Sequence, residues 1–320
     1  MDVSEKSPVE THALRLAESL RSRSTVQVVL ESMFYGSICT STFFGNLLIL
    51  YIIYKPPRLR NVPGLFIASL AFSDTATIAL ATPPSFASLI AGRWTCGFIA
   101  CQLQGFVVIA SVAASLQIMA LMSIDRYFRV VQPMKHRIFF TMPRARLMTA
   151  SVWILSLMYP VPYRASDRKH IFHPGKFFCF HEADSSFTAD VIYICIFISL
   201  AVLSFCYFKV FRHLRLDTRR VKNLRGASVA TDDNTRHISQ EEIRLTGSLF
   251  VTVLAYLICW TPVLIVDFVE TGVGDWSLSH GVYVMYTTIG TTSSSLNPIM
   301  ESLIKHFVEN TGGFFASSTD

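Results

Sequence analysis

The sequence predicts an all-α membrane protein, a bundle of seven transmembrane helices, on three observations. Of the 320 residues, 51% are hydrophobic and only 16% charged, with a mean hydropathy of +0.43, a balance that soluble domains rarely reach. Apolar stretches of spanning length recur with short polar breaks, and in lipid each such stretch must satisfy its backbone polar groups internally, as a helix does. Basic residues gather in alternate breaks, which fixes a direction of insertion.

Each element follows in order. Residues 1–25 are polar and mixed in charge, an extracellular amino-terminal segment too poor in apolar residues to fold alone. The first span, Val26 to Tyr54, is full length and reads as an uncleaved anchor rather than a signal peptide. The second, Gly64 to Ile90, carries Pro83-Pro84, where a kink is expected. The third, Gly97 to Val130, ends in Asp125-Arg126-Tyr127. The fourth, Leu147 to Tyr163, is the shortest, and Pro160 and Pro162 should stop or bend it near the outer face. The fifth runs from Thr188 to Phe211; the sixth, Ile243 to Val269, contains Pro262; the seventh runs from Leu278 to Ile304. Together these make one domain over residues 26–304, followed by a short cytoplasmic tail, 305–320.

Orientation comes from the basic loops. Lys55, Arg58 and Arg60 follow the first span, Lys135, Arg137, Arg144 and Arg146 the third, and Arg212 through Arg225 the fifth. These face the cytoplasm, so the amino end lies outside and the protein is a multi-pass protein of the plasma membrane. The net charge of +6 then reflects loops facing anionic membrane lipid and needs no nucleic-acid partner.

Asp125 and Arg126 are ionisable residues at the edge of a long apolar run, where charge usually serves function, so the pair reads as a switch. The competing reading is a basic anchor that snorkels from a helix end. Six further marks accompany it: Gly45-Asn46 in the first span, Leu70 through Asp74 in the second, Trp153 in the fourth, Tyr207 in the fifth, Cys259-Trp260-Thr261-Pro262 in the sixth and Asn297-Pro298 in the seventh. With these marks in this order the chain resembles the rhodopsin-like (class A) G-protein-coupled receptors from Phe44 to Phe307. Its nearest flavour is the melatonin-receptor and opsin branch, on Arg60 to Asp74, Trp94, Cys101-Gln102 and Gly105-Phe106.

The resemblance implies a short cytoplasmic eighth helix, a heterotrimeric G protein as partner and an extracellular small-molecule ligand. It implies a disulfide between Cys101 and Cys179, with Cys96 as a nearby competitor. The coupling switch would comprise Asp125, Arg126, Tyr127, Tyr207, Glu242, Asn297, Pro298 and Glu301, with Glu242 as the resting partner of Arg126. Glu301 stands where the family usually has a tyrosine, and the fifth span lacks its usual proline, which predicts a straighter helix. A sodium site would use Asp74, Ser115, Ser293, Ser294 and Asn297; the alternative is a neutral Asp74 bonded to Asn297.

The ligand class is argued by exclusion. The third-span position where amine receptors carry an aspartate is Val108, and the opsin retinal lysine is replaced by Thr291, which cannot form an imine. The melatonin receptors' fifth-span histidine is replaced by Cys195. Helical phase points Val108, Ile109, Val112, Val191, Cys195, Trp260, Leu264, Asp267, Tyr283, Thr287 and Thr291 into one cavity beneath Phe180. That lining predicts a small, largely hydrophobic ligand. Asp267 either binds a cation or sits in water at the headgroup level.

Outside this set, His170, His173 and His181 share an outer loop and predict a solvated or pH-sensitive face rather than a metal site. No metal-ligand cluster, nucleophile motif or phosphate loop appears, so the chain is not expected to be an enzyme or to carry a cofactor other than sodium. A seven-span transporter or a non-signalling membrane protein is the alternative to a receptor, although inverted repeats are not visible.

Overall fold

The computed structural model describes residues 7–181, 186–225, 254–270, 272–274 and 276–296. Helix α1 (Pro8–Arg21) starts with a capping box in which Ser7 and Glu10 satisfy each other's backbone N–H groups. Helix α2 (Thr25–Tyr54) begins with a second such box between Ser24 and Gln27. A short 3-10 turn (Pro57–Leu59) leads into α3 (Val62–Ala91), which Asn61 caps through the Gly64 N–H. Helix α3 continues through Pro83 and Pro84, and its left-handed stop falls on Gly92.

Helix α4 (Gly97–Val131) is followed by α5 (Pro133–Phe139), α6 (Met142–Met158) and α7 (Val161–Ala165). The fourth span thus ends just before Pro160, as its prolines require. An antiparallel hairpin comes next, β1 (Ile171–His173) against β2 (Phe178–Phe180), with Phe172 opposite Cys179. The fifth span lies in α8 (Ser186–Arg225), 40 residues without an internal break. The sixth and seventh spans are described as α9 (254–270) and α10 (280–296).

Among the described residues, α2, α3, α4 and the Ile196–His213 part of α8 are long and apolar enough to cross a membrane. Helix α6, with 17 residues, is the shortest complete span, as expected. Residues 243–253 and 297–304, and with them the eighth helix, lie outside the described residues.

The distribution of polarity is that of a protein dissolved in lipid. Helix α2 buries Thr42 and Asn46 while exposing Met33, Phe34, Phe44, Leu48 and Tyr51. In water that arrangement would be unfavourable; in a bilayer the apolar faces meet hydrocarbon, and small or polar residues make the interhelical contacts. Helix α4 is central, packing against α3, α6 and α8. Its buried Ala114, Ile118 and Met119 join Phe66 and Leu70 of α3 and Leu203 and Tyr207 of α8 in the main core.

The amino-terminal segment, expected not to fold alone, is helical against the bundle. Leu16 packs with Val266, Trp276 and Tyr283, and Leu20 with Leu89 and Phe177, so α1 lies across the outer end of the bundle. Arg23 then pairs with Glu31 and donates to the Leu89 carbonyl. The polar composition hid an amphipathic helix whose narrow apolar stripe needs the bundle as its partner.

Candidate functional site

A cavity of about 180 Å³ descends from Phe180 and His181 at the outer mouth to Asp74 deep between α2, α3 and α10. The residues expected from helical phase mostly line it: Val108, Ile109 and Val112 of α4, Trp260 and Asp267 of α9, and Thr287 and Thr291 of α10. Tyr35, Ile78, Leu116, Ile196 and Val263 complete a largely apolar wall.

Two expectations are corrected. Leu264 packs against the main core instead of facing the cavity. Tyr283 is wholly buried above it, with Leu16, Val266 and Trp276. Helical phase gives the face of a residue but not its depth beneath a loop. The side chains of Val191 and Cys195 lie outside the described residues.

The floor is polar. Ser294 donates to Asp74 Oδ1 at 2.9 Å, and Trp260 Nε1 donates to Ser293 at 3.2 Å. Ser115 lines the same space but donates to Ser73 at 3.2 Å. Asp74, Ser115, Ser293 and Ser294 present only oxygen donors to the cavity, the ligand type hard cations take, and so fit a hydrated sodium ion. Asn297 lies outside the described residues.

The roof is the hairpin. A disulfide joins Cys101 of α4 to Cys179 of β2, with the Cα atoms 5.3 Å apart, while Cys96 is free and exposed. The Gln104 side chain accepts from the Cys179 N–H at 2.8 Å, and Gln102 donates to the His170 carbonyl at 2.8 Å. Gly105 makes the seat for His170, since a Cβ there would stand 2.4 Å from the imidazole.

Of the three loop histidines, two are buried rather than solvated, and His181 is half-buried. His170 and His173 are each 2% exposed. Burial, reinforced by Arg164, pushes His170 down to about 4 from its usual 6.5. Burial and then Lys176 push His173 well down too, although a backbone hydrogen bond opposes them. His173 Nδ1 accepts the N–H groups of Gly175 and Lys176, each at 3.2 Å, and so shapes the hairpin turn.

That turn delivers a residue the sequence did not single out. Lys176 is 2% exposed and enters the bundle. Its ammonium lies 3.1 Å from Glu270 Oε2 and 3.4 Å from Asp267 Oδ1. Thr287 donates to its carbonyl at 2.8 Å. Asp267 is thus neither water-exposed nor free: its cation comes from the chain's own loop. The available signal was the placing of Asp267 and Glu270 one turn apart on the same helix face, which calls for a cation.

At the inner end, Asp125 and Arg126 are 1% and 3% exposed, with Arg126 Nε 3.6 Å from Asp125 Oδ2. His136 of α5 also meets Asp125, 2.9 Å from Oδ1, and stacks on Phe140. Sequence reading missed His136, which lies in another helix and has no motif of its own. Gln132 donates to the Tyr127 hydroxyl at 2.9 Å, and Tyr207 is buried in the core nearby. Glu242, Pro298 and Glu301 lie outside the described residues.

Comparison with known proteins agrees with this geometry. The family model for the seven-transmembrane receptors of the rhodopsin family matches residues 45–300. The rabbit (Oryctolagus cuniculus) neuromedin-K receptor is 26% identical over 279 residues, covering 86% of this chain and 58% of the relative. The chicken (Gallus gallus) melatonin receptor type 1A is 22% identical over 270 residues, covering 81% and 72%. The crystal structure of squid rhodopsin superposes with a TM-score of 0.75 at 20% identity, covering 93% of this chain and 89% of that one. The chain spans about three fifths of the length of the neuromedin-K receptors it matches.

Proposed function

We propose, for a chain that belongs to the rhodopsin family of seven-transmembrane receptors, that it binds a small, largely hydrophobic extracellular ligand and activates heterotrimeric G proteins at the plasma membrane. The family is one of receptors rather than enzymes. One observation carries the ligand class: the apolar cavity beneath Phe180 that reaches from the outer mouth to Asp74. The relatives are named for different ligands, neuromedin K and melatonin, so they do not select one for this chain.

The buried Asp125, Arg126 and Tyr207 support the coupling end of this reading. On activation the sixth helix moves away and Arg126 is released to meet the G protein. In the resting state Glu242 holds Arg126. Arg126→Ala then removes coupling, while Glu242→Ala raises ligand-free signalling. A sodium ion held through Asp74, Ser115, Ser293, Ser294 and Asn297 stabilises the resting bundle. Retinal makes no covalent bond at residue 291, because Thr291 has no amine to condense with an aldehyde, and the Lys176 amine is held as an ammonium by Asp267 and Glu270.

The test is a reporter panel covering each G-protein class, in cells expressing the chain with its amino end outside, run with and without a library of small apolar agonists. Absence of any ligand-dependent or basal signal at demonstrated surface expression would sink the proposal. Borohydride reduction after incubation with retinal should leave the bundle interior unlabelled, whatever the loop lysines take up; label inside the bundle would turn the reading towards photoreception.

A further inference from the structure

The outer end of the cavity contains a recognition site already in use. The Lys176 ammonium stands 4.3 Å from the centre of the Tyr286 ring, 5.1 Å from that of Phe180 and 5.6 Å from that of Tyr283. Ring faces at such distances attract a cation through their quadrupoles, most strongly where water is excluded. Two carboxylates complete the enclosure. Each is aimed by a neighbour: Tyr286 donates to Asp267 Oδ2 at 3.2 Å, while Tyr283 and the Trp276 N–H donate to Glu270 Oε1 at 2.5 Å and 3.0 Å.

The box is therefore built by side chains that hold their positions through one another, and the lysine is its occupant. Its members come from three parts of the chain: Phe180 from β2, Asp267 and Glu270 from α9, Tyr283 and Tyr286 from α10. Of these, Phe180, Asp267 and Tyr286 also line the ligand cavity, so the box opens directly into it.

We propose that this aromatic and acidic box is a subsite for an alkylammonium group, which the chain fills with its own Lys176 and which the cationic end of an extracellular ligand enters when Lys176 withdraws. The occupant shows the chemistry: a primary ammonium on an apolar stem, its head over the Tyr286 ring and between the carboxylates. A ligand of matching form carries a protonated amine on a hydrophobic body, the body lying in the apolar space below. The ligand half of the proposal rests on the receptor reading above; the subsite itself does not.

Chemical rescue tests it on the full-length purified chain. Lys176→Ala removes the occupant beyond its Cβ; n-butylammonium offers the same ammonium on an apolar stem, one carbon longer than the three carbons lost. The variant should melt several degrees below wild type, and n-butylammonium chloride in the millimolar range should recover most of the loss. Wild type, whose box is filled, should respond far less, and n-butanol or sodium chloride at matched concentration should rescue neither. In Lys176→Ala carrying Asp267→Asn and Glu270→Gln, the response to n-butylammonium should vanish. Equal responses of wild type and variant, rescue by n-butanol, or rescue that survives loss of both acids would each overturn the subsite. If Lys176→Ala does not survive purification, n-butylammonium present during expression should raise its surface yield, while n-butanol should not; no rise would overturn the proposal. None of these readouts involves a G protein, so failure of the receptor reading and failure of the subsite are separately visible.

Discussion

At the outer end of the bundle a disulfide, a two-stranded hairpin, a capping helix and an ammonium between two carboxylates converge on one roof, all drawn from segments distant in sequence. At the inner end the described residues offer short-range polar contacts instead: Asp125 with Arg126 and His136, and Gln132 with Tyr127. The first arrangement is covalent and multiply determined; the second rests on single hydrogen bonds and one close ion pair, which can be exchanged for other partners. The contrast predicts a bundle that yields at its inner end while its outer entrance stays in register. That is the asymmetry a transmitting membrane protein needs.

Breaking the roof should have the largest effect. Cys101→Ala or Cys179→Ala frees the hairpin from α4, and loss of a native disulfide typically costs about 2–5 kcal/mol. Surface expression and ligand response should both collapse. Peptide mapping that finds a free thiol at Cys101 in the mature protein, or a bond from Cys96, would undo the comparison at its strongest point.

Acid should loosen the same roof. A histidine whose folded pKa lies below its unfolded 6.5 favours the native state only while neutral, so stability is complete above about pH 7 and declines as protons bind the unfolded chain preferentially. For His170 the loss begins as pH falls through 6.5 and continues to about 4; His173 adds a loss in the same direction. The melting temperature of the purified chain should therefore fall across that window, and His170→Leu should flatten the decline. A melting temperature independent of pH there, in the unmodified chain, would mean the histidines are solvated after all.

Packing beneath the hairpin offers a milder test. Gly105→Ala places a methyl group against the His170 ring, and such overpacking costs about 1–3 kcal/mol. Thermal unfolding should show the loss without any change at the inner end, so unchanged stability would show that the loop yields easily.

The smallest effect belongs to the inner end. His136→Phe keeps the stacking on Phe140 but removes the contact with Asp125. Losing about 1 kcal/mol of resting-state stabilisation should raise basal signalling roughly fivefold, with melting almost unchanged. Equal basal activity at matched surface expression would mean that His136 merely packs.

What could be read from sequence was whatever repeats locally or stands in a motif. The spans were legible because hydropathy is a property of contiguous residues, and α2, α3 and α4 begin and end within a few residues of expectation. The bond between Cys101 and Cys179 was legible because the motifs that frame it identify the family. The hairpin, the buried His170 and His173 and the inward turn of Lys176 were not. Their environments are assembled from α1, α4, α9 and α10, and nothing near Lys176 in sequence announces Asp267 or Glu270. Helix α1 escaped for a similar reason: Leu16 and Leu20 are a sparse stripe until Trp276 and Phe177 stand opposite them.

Lys176 and Cys179 share one short hairpin, and the disulfide pins that hairpin to α4. The lysine is therefore a ligand on a leash, with an effective concentration at its box on the order of millimolar or above. Any free amine must exceed that local supply before it holds the box half of the time. Removing the leashed lysine, as in Lys176→Ala, rather than altering the box, is the direct way to make the entrance sensitive to dilute amines.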